Sequence, residues 1–369
     1  MEDEQVTTCW VPGADESPYN IHNLPFGVFS TADETLPRIG VRIGDHILDM
    51  HKAVLSGDCQ TCASCTALRD PALNRLLSLG KAAWKQVRAQ VQEALSEPSL
   101  QDVASEWLTP IGEAVMHAPL LVTDYVDFTM RAPGSDRVYP RASNGRPSTL
   151  IPSGMDLVRP AGHRRGEDGQ AVFGPTRALD IEAEVGFIIG GESELGRPVS
   201  PDEFEDYVFG AVLLNDWTAR DFQELETDGL GPVASKSFAT SMSAWITPIE
   251  ALSAARTAAP QPAPDMASYL KESDRYGFDL HLDIHVNGVA VAGADFAEAC
   301  WTPAQQLAQL TAGGAVLRPG LMYGSGEAVT GQWRLENGDV VKVTASAPGP
   351  RGTTIALGEV ETRVLPSIT

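Results

Sequence analysis

The chain has 369 residues, 43% of them hydrophobic, which is enough for a sizeable core and about two domains. Its 49 acidic and 27 basic side chains give a net charge of −22, which disfavours nucleic acid and anionic membranes as partners. No apolar run reaches about 18 residues, and the first residues lack a secretory pattern, so we expect a soluble cytoplasmic protein. An anionic substrate is not excluded, because a bound divalent ion or local arginines can reverse the charge inside a pocket.

The first part of the chain predicts short strands and then one helix. Residues 27–30 and 39–43 alternate like strands, and Gly44-Asp45 is a hairpin turn signal, which together indicate a small barrel-like unit. Residues 71–98 carry apolar side chains at helical spacing and many helix-forming residues. A polar stretch to about residue 115 then links this part to the rest of the chain.

Cysteines are few and odd in number, which argues against a disulfide framework. The five are Cys9, Cys59, Cys62, Cys65 and Cys300. Three of them have a Cys-x-x-Cys-x-x-Cys spacing that resembles part of an iron–sulfur or zinc site, whose fourth ligand would come from Cys9, His51 or elsewhere. The local sequence is polar and loop-like, which favours free thiols over a metal site.

A long polar segment follows the start of the second part near residue 116. Residues 129–152 are rich in Pro, Gly, Ser and Arg and show little periodicity, which predicts a long loop. Its four arginines make it the most basic region of an acidic chain: Arg131, Arg137, Arg141 and Arg146. Two interpretations stand, a solvated surface loop and an anion-binding lid.

Two carboxylates interrupt an otherwise apolar stretch at residues 179–190, which predicts a short strand. Glu182 and Glu184 are two residues apart, so they point to the same face, about 7 Å apart along the backbone. Two like charges there repel each other and are costly to desolvate, and a hard divalent ion such as Mg²⁺ or Ca²⁺ would remove both problems. The alternative is a strand with one solvated polar face.

Two further acidic elements favour the metal interpretation. An apolar run ends in Asn215-Asp216 and is followed by a turn into a predicted helix, and Asp124 and Asp127 lie in another short apolar segment. The three acidic elements could converge on one cation, although spacing alone does not establish it.

The remaining segments predict a mixed, strand-rich fold with few crossover helices. Predicted helices and strands lie at residues 202–207, 278–289, 301–310, 340–344 and 354–364. His281 and His285 fall on one face of a strand and are expected to be exposed. A Gly- and Ser-rich stretch at residues 229–243 carries Lys236 and Thr240. The sequence contains no phosphate-binding glycine motif, nucleophile elbow or dinucleotide fingerprint.

Motifs along nearly the whole chain resemble those of the fumarylacetoacetase family. They are NLPFGVFST at 23–31, PRIGV at 37–41, AAWK at 82–85, MHAP at 116–119, DF at 127–128, DIEAE at 180–184, NDWTARD at 215–221, GP at 231–232, KSF at 236–238, QQL at 305–307 and LRPG at 317–320. The resemblance implies a mixed, β-rich α+β fold and a homodimer. Residues 1–115 would form an SH3-like barrel domain with a linking helix, and residues 116–369 a metal-binding β-roll catalytic domain.

The resemblance also implies a set of site residues. The active-site ion, Mg²⁺ or Ca²⁺, would be held by Asp127, Glu182, Glu184 and Asp216. Lys236 and Thr240 match residues of a second metal site or pocket wall beside it, and Lys236 is also a candidate catalytic residue. Arg220 and Gln223 match residues that hold the substrate's carboxylate and keto oxygens, and Arg131 is a further substrate-binding candidate.

Several positions depart from the family pattern. Gly134 stands where the water-activating histidine belongs, and no histidine lies between His117 and His163. The segment that carries the partner glutamate is shortened, and Glu327 replaces a threonine. Tyrosines that contact the substrate in the family are replaced by Thr129, Ser143 and Thr227. The metal ligands are therefore kept, whereas the water-activating pair is not.

These features predict a divalent-metal-dependent enzyme that chelates and enolises a β-diketo or 2-oxo acid. Enolate stabilisation is common to C–C hydrolysis, decarboxylation, isomerisation, lyase reactions and cyclisation, but hydrolysis also needs a general base. We therefore expect a repurposed, non-hydrolytic reaction in a biosynthetic pathway. The alternatives are an ordinary fumarylacetoacetase-like C–C bond hydrolase and a non-catalytic, metal-stabilised dimer.

Glu327 is the candidate catalytic residue. A carboxyl group beside four other carboxylates has its pKa raised by desolvation and by like charge, which suits a general acid or base near neutral pH. The alternative is that Glu327 turns outward or pairs with a lid arginine such as Arg131 or Arg137.

Overall fold

Strands form most of the framework of the protein. The structure is a computed structural model that describes residues 8–56, 61–130, 138–226, 231–260, 266–329 and 333–368. Up to residue 117 the elements are β1 (Phe26–Thr31), β2 (Arg38–Ile43), β3 (His46–Asp49), α1 (Met50–Ser56), α2 (Ala63–Ala67), α3 (Asn74–Leu77), α4 (Lys81–Ser96), α5 (Gln101–Ser105), β4 (Leu108–Pro110) and β5 (Ala114–His117).

The rest of the chain is richer still in strands. Its elements are β6 (Tyr125–Phe128), β7 (Ala142–Asn144), β8 (Leu150–Pro152), β9 (Leu157–Val158), β10 (Ala161–Arg165), β11 (Ala171–Pro175), β12 (Leu179–Asp180), β13 (Ala183–Ile189), α6 (Phe204–Tyr207), β14 (Val208–Asp216), β15 (Thr218–Ala219), α7 (Arg220–Gln223), β16 (Thr240–Met242), β17 (Trp245–Pro248), β18 (Arg256–Ala258), β19 (Tyr276–Phe278), β20 (His281–Val286), β21 (Val289–Asp295), α8 (Pro303–Thr311), β22 (Met322–Gly324), β23 (Val340–Pro348) and β24 (Thr354–Leu365). Short 3-10 helices lie at Pro98–Leu100, Ile111–Glu113, Pro147–Thr149, Pro201–Glu203, Ile249–Ala255, Ser268–Leu270, Phe296–Glu298 and Pro350–Gly352.

The early elements largely follow the sequence pattern. The predicted turn joins β2 and β3 as an antiparallel hairpin, with Gly44 at a φ of +53°. The predicted helix is divided, because Gly80, at a φ of +79°, separates α3 from α4. On α4, the buried apolar residues recur every three or four positions along one face, and Arg88 is buried beside them: Trp84, Val87, Val91 and Leu95.

The later elements also match their predictions. Asn287 and Gly288, both at positive φ, turn β20 into β21, as a tight hairpin requires. Helix α8 begins with a capping box between Thr302 and Gln305. His281 is exposed as expected, whereas His285 is half-buried.

Two predictions need correction. The single strand expected at 179–190 is split into β12 and β13 at residues 181 and 182. There Asn215 Oδ1 takes the place of a backbone carbonyl and accepts the N–H of Glu182 at 3.1 Å, while Glu182 O still accepts the backbone N–H of Asp216 at 2.9 Å. The loop expected at 129–152 contains β7 and β8, which pair with β6 and β16. Residues 131–137 lie outside the described part of the chain.

Thirteen strands form one sheet that spans both parts of the chain. Its order is β4-β3-β2-β1-β17-β14-β13-β22-β6-β7, with β5 beside β1, and β16 between β14 and β8. A second sheet has the order β21-β20-β23-β24-β9. Within the described ranges no pairing closes a barrel, so the fold is mixed and strand-rich, and the SH3-like barrel and β-roll stay predictions. The domain boundary after residue 115 likewise stays a prediction.

Both faces of β13 are buried. Val185, Phe187 and Ile189 pack in one hydrophobic cluster, and Ile188 packs in another with Tyr125. Because successive side chains alternate, Glu184 lies on the same face as Ile188. A carboxylate is therefore placed inside a core layer rather than on the surface.

Of the cysteines in the predicted metal motif, Cys62 and Cys65 lie at α2, where the Cys62 sulfur accepts the backbone N–H of Cys65 at 3.2 Å. Cys59 lies outside the described residues, so the choice between free thiols and a metal site stays open. None of the helices that the structure describes has the length and apolar character needed to cross a membrane.

Candidate metal centre

Three strands bring three carboxylates together. Asp127 is on β6, Glu184 is on β13 and Asp216 ends β14, and each offers an oxygen that lies within 4.8 Å of the other two. Glu184 is fully buried and Asp216 is 3% exposed. The three acidic elements recognised in the sequence therefore converge in the folded chain.

A glycine on the intervening strand makes this approach possible. Gly324 on β22 pairs with Gly186 of β13 on one side and with Asp127 of β6 on the other. A Cβ atom at this position would lie 2.5 Å from Glu184 Oε2. Any larger residue would fill the space in which the carboxylates meet.

The oxygens of this group fit a hard divalent ion. Asp127 Oδ1 and both carboxylate oxygens of Glu184 are buried; the two carboxyl groups face each other, and no donor group among the described residues reaches these oxygens. A buried charged group without a partner is strongly disfavoured, whereas Mg²⁺ and Ca²⁺ take carboxylate oxygens as ligands. The three residues could therefore hold such an ion together.

Glu182, the fourth predicted ligand, is connected to this group through a lysine. Lys236 Nζ lies 2.5 Å from Glu182 Oε2 and 2.5 Å from Asp216 Oδ2, and 3.9 Å from Asp127 Oδ2. Thr218 Oγ1 donates a 2.8 Å hydrogen bond to Glu182 Oε1. Direct ligation by Glu182 stays a prediction.

Thr240, the other residue predicted beside the metal, also contacts the group. It lies on β16 opposite Asp216 of β14, and its hydroxyl donates a 2.6 Å hydrogen bond to Asp216 Oδ1. Lys236 and Thr240 thus both contact Asp216. Their place in a pocket wall or a second metal site stays a prediction.

The site carries more negative than positive charge. Its four predicted metal ligands, together with Asp180 and Glu327, make six carboxylates against the ammonium of Lys236 and the guanidinium of Arg220, a formal charge of −4 when all are ionised. Burial raises the pKa of Asp127 to about 8, against the opposing effect of Lys236. Burial, followed by the charge of Asp127, raises the pKa of Glu184 well above its usual value. Without a cation, the site is therefore under electrostatic strain.

Other charges of the site are balanced. Burial opposes ionisation of Glu182, but Lys236 and Arg220 outweigh it and hold its pKa below the usual value. Burial likewise opposes protonation of Lys236, but the surrounding carboxylates raise the pKa of this amine well above its usual value. Lys236 therefore acts as a fixed positive charge that donates hydrogen bonds.

Arg220, predicted to hold the substrate's carboxylate, is surrounded by the protein's own carboxylates. Its Nε lies 2.6 Å from Asp180 Oδ2, its Nη1 2.7 Å from Glu182 Oε1, and its Nη2 3.7 Å from Glu327 Oε1. Gln223 accepts a further 3.3 Å hydrogen bond from Nη1. Sequence reasoning missed Asp180, which is fully buried and lies two residues before Glu182.

Glu327 is carried toward Arg220 by a turn fixed to β13. Ser325 donates its backbone N–H to Val185 O at 2.9 Å, and Ala328 donates to Ala183 O at 3.0 Å. Burial raises the pKa of Glu327 to about 7, with Glu182 adding to the rise and Arg220 opposing it. The side chain is 25% exposed. It pairs with Arg220, while Arg131 and Arg137 lie outside the described residues.

A cavity of about 680 Å³ opens beside Arg220. Its lining includes Arg141, Arg220, Gln223, Glu224, Trp333 and Arg334. Both described substrate-binding candidates, Arg220 and Gln223, thus face one cavity. Of the positions that depart from the family pattern, Ser143 lies on β7 and the Thr129 hydroxyl donates to Arg141 O at 2.9 Å, whereas Gly134 and Thr227 are outside the described residues.

Solved structures share this fold at low sequence identity. A fumarylacetoacetate hydrolase from Exiguobacterium antarcticum aligns with a TM-score of 0.58 and 18% identity, over 93% of this chain and 99% of its own. A maleylpyruvate hydrolase from Sphingobium sp. SYK-6, in complex with manganese(II) and pyruvate, aligns with a TM-score of 0.56 and 18% identity, over 93% and 100%. A 2-hydroxyhepta-2,4-diene-1,7-dioate isomerase from Mycobacterium marinum gives a TM-score of 0.56 and 14% identity, over 94% and 100%.

Sequence comparisons are more specific. Residues 22–119 match the family model described as fumarylacetoacetase N-terminal, and residues 121–365 match fumarylacetoacetate (FAA) hydrolase C-terminal. Fumarylacetoacetase from Bos taurus is 33% identical over 97% of this chain and 99% of its own length. The same enzyme from Caenorhabditis elegans is 35% identical over 95% and 97%. The chain belongs to the fumarylacetoacetase family of enzymes.

Proposed function

We propose that this protein is a divalent-metal-dependent enzyme that enolises a β-diketo or 2-oxo acid, with Mg²⁺ or Ca²⁺ held by Asp127, Glu182, Glu184 and Asp216. The observation that carries the proposal is the set of buried carboxylate oxygens on Asp127 and Glu184 that have no hydrogen-bond partner in the described chain. When bound, such an ion polarises an oxo group and stabilises the enolate.

The chain's own residues supply the remaining parts of the reaction. Arg220 and Lys236 hold Glu182 in place and keep it ionised, while Lys236 keeps a positive charge against Asp216. Glu327 is the proton carrier in this proposal, because its carboxyl lies 3.7 Å from Arg220, which lines the cavity, and because burial raises its pKa to about 7. A group with a pKa near the working pH is an efficient general acid or base.

The proposed reaction is non-hydrolytic and belongs to a biosynthetic pathway. Gly134 stands where the family's water-activating histidine belongs. We therefore expect the stabilised enolate to serve decarboxylation, isomerisation, C–C cleavage or cyclisation rather than hydrolysis. Proteins of similar structure include both hydrolases and isomerases, and the Sphingobium structure contains pyruvate, a 2-oxo acid, together with manganese(II). We further propose that the protein is a homodimer, as the family resemblance implies.

Proton exchange tests enolisation without knowledge of the final product. Pyruvate, longer 2-oxo acids and β-diketo acids are incubated with the enzyme in D₂O, with Mg²⁺, with Ca²⁺ or with EDTA, and loss of the carbon-bound protons next to the oxo group is followed by NMR. We expect metal-dependent exchange with at least one compound class. If calorimetry detects metal binding but no compound exchanges its carbon-bound protons, the enolising function is refuted. The alternative of a non-catalytic, metal-stabilised dimer would then remain.

Substitution of Glu327 tests its role as the proton carrier. Glu327→Gln keeps the shape of the side chain and removes its titration, so exchange should slow by about 10²–10⁴-fold while metal affinity stays unchanged. One limb of the pH profile should also disappear. Glu192→Gln is the matched control, because Glu192 also pairs with an arginine, Arg318, but on the exposed surface. Normal exchange by Glu327→Gln would leave Glu327 a structural residue.

A further inference from the structure

Tyr125 is a buried tyrosine beside the candidate metal centre that no role described so far explains. It lies on β6, two residues before Asp127, and is 4% exposed. Its hydroxyl is buried and has no hydrogen-bond partner among the described residues. Gly145 packs directly against its ring, where a Cβ atom would clash. The ring is therefore tightly enclosed, while its one polar atom is left unsatisfied.

The hydroxyl lies next to a carboxylate that is also unsatisfied. A Cβ atom on Gly324 would lie 3.2 Å from Tyr125 Oη and 2.5 Å from Glu184 Oε2, so both oxygens border the same small space. Both oxygens of Glu184 lack a partner. A buried hydroxyl and a buried carboxylate, each without a partner, are disfavoured separately but complementary as donor and acceptor.

The chemistry of the two groups decides which one donates. A tyrosine hydroxyl carries a proton at pH 7 and can donate it, whereas a carboxylate that ligates a cation has only acceptor oxygens. Tyr125 is therefore the donor and Glu184 the acceptor.

We propose that Tyr125 is a positioning residue whose hydroxyl donates a hydrogen bond to Glu184 when a divalent ion occupies the site. The inference rests on the proposed metal site and extends it to the group that orients one of its ligands. Such outer hydrogen-bond partners fix the orientation of a ligand, and their removal typically weakens metal binding by about 10–100-fold.

The test uses Tyr125→Phe in the full chain, with Tyr323→Phe as the matched control. Tyr323 is a fully buried tyrosine on the neighbouring strand β22, but its hydroxyl donates to Pro303 O at 3.0 Å. Calorimetric titration with MgCl₂ and with CaCl₂ measures Kd, and thermal unfolding in EDTA measures Tm. We expect Tyr125→Phe to raise Kd about 10–100-fold without lowering the metal-free Tm. Tyr323→Phe should lower the Tm and leave Kd unchanged.

Each other outcome overturns a defined part of the proposal. A Kd of Tyr125→Phe within about twofold of wild type would show that the hydroxyl does not act on the bound ion. A lowered metal-free Tm, or failure of Tyr125→Phe to fold, would show that the hydroxyl already has a partner without the ion, because phenylalanine keeps the ring. If the wild-type protein binds neither ion, the proposed metal site itself fails, and this inference fails with it.

Discussion

Replacing Gly324 with alanine should weaken metal binding by displacing one ligand. The added Cβ would lie 2.5 Å from Glu184 Oε2 and 3.2 Å from Tyr125 Oη, so the carboxylate must move by several tenths of an ångström or more inside a fully buried site. Overpacking of this kind costs typically about 1–3 kcal/mol, and removing a glycine from a strand returns about 0.5–1 kcal/mol. The net loss of metal-free stability should be about 0–2.5 kcal/mol.

The variant should also bind the metal ion more weakly. We expect the Kd for Mg²⁺ to rise at least about 10-fold, because a misplaced ligand costs at least as much as a lost outer hydrogen bond. At a Mg²⁺ concentration of 100 times the wild-type Kd, the ion stabilises wild type by about 2.7 kcal/mol. A 10-fold weaker variant would gain about 1.4 kcal/mol at the same concentration. Thermal unfolding with and without Mg²⁺ measures this difference, and calorimetry measures Kd directly.

Gly186→Ala is the matched control for this experiment. Gly186 pairs with Gly324 on the adjacent strand, and its added Cβ would lie 2.9 Å from the Leu214 side chain and 3.0 Å from that of Val212. This variant should lose packing stability to a similar extent and bind Mg²⁺ with wild-type affinity. Wild-type affinity in Gly324→Ala would refute the reasoning, because it would show that the space beside Gly324 is not where the cation and Glu184 meet.

Three further predictions concern the charges of the site and its chemistry. Glu182→Ala should abolish the calorimetric metal signal, and unchanged metal affinity would remove Glu182 from the ligand set. The variant should also lose about 3–5 kcal/mol of stability, because Arg220 and Lys236 lose a buried partner. In the metal-free protein, the pKa of Asp127 is raised from 3.8 to about 8. The protonated carboxyl therefore stabilises the fold fully below about pH 4, and the Tm should fall as the pH rises to about 8 and this contribution is lost. Asp127→Asn and saturating Mg²⁺ should each reduce this fall in Tm, and a pH profile of Tm equal to that of the metal-free wild type would contradict the reasoning. Hydrolysis of fumarylacetoacetate, followed by absorbance, should be about 10²–10⁴-fold slower than by an ordinary family member, and an equal rate would show that another residue replaces the histidine.

The sequence identifies the main acidic residues of the site because each interrupts or ends an apolar run. Asp127, Glu184 and Asp216 lie on strands whose apolar neighbours enter the core, so the carboxylates are carried inward with them. What the pattern does not encode is the break between β12 and β13. That break depends on the Asn215 amide, which accepts the Glu182 N–H from a different strand. Apolar periodicity within one segment carries no information about such a contact.

Long-range pairing limits the prediction of the fold in the same way. Local patterns predict β1, β2, β20 and their turns, but the pairing of β1 with β17 joins Phe26 to Ile246 across more than half of the chain. This pairing makes one sheet out of strands that were expected in separate domains. Neither strand's own sequence specifies the partner, since both are simply short apolar segments.

The partners of Arg220 illustrate why residue roles are harder to predict than residue positions. The resemblance implies an arginine that holds a substrate carboxylate, and the arginine does lie at the cavity. Its Nε and Nη1 groups, however, are already paired with Asp180 and Glu182, so the end that faces Glu327 offers the weakest existing contact, 3.7 Å. Under the proposed function, an anionic substrate group would therefore compete with Glu327 for Arg220.

This competition gives Glu327 a property that a threonine hydroxyl at the same position would not have. With its pKa raised to about 7 by burial, Glu327 is partly protonated near neutral pH, and in that state it no longer attracts the guanidinium. Proton uptake by Glu327 would thus free Arg220 for an anion, and arrival of the anion would in turn favour the protonated carboxyl. Because Arg220 also holds Glu182, which Lys236 connects to Asp216, the proposed function would make substrate binding, the charge of the proton carrier and the charge balance of the metal centre depend on the same guanidinium.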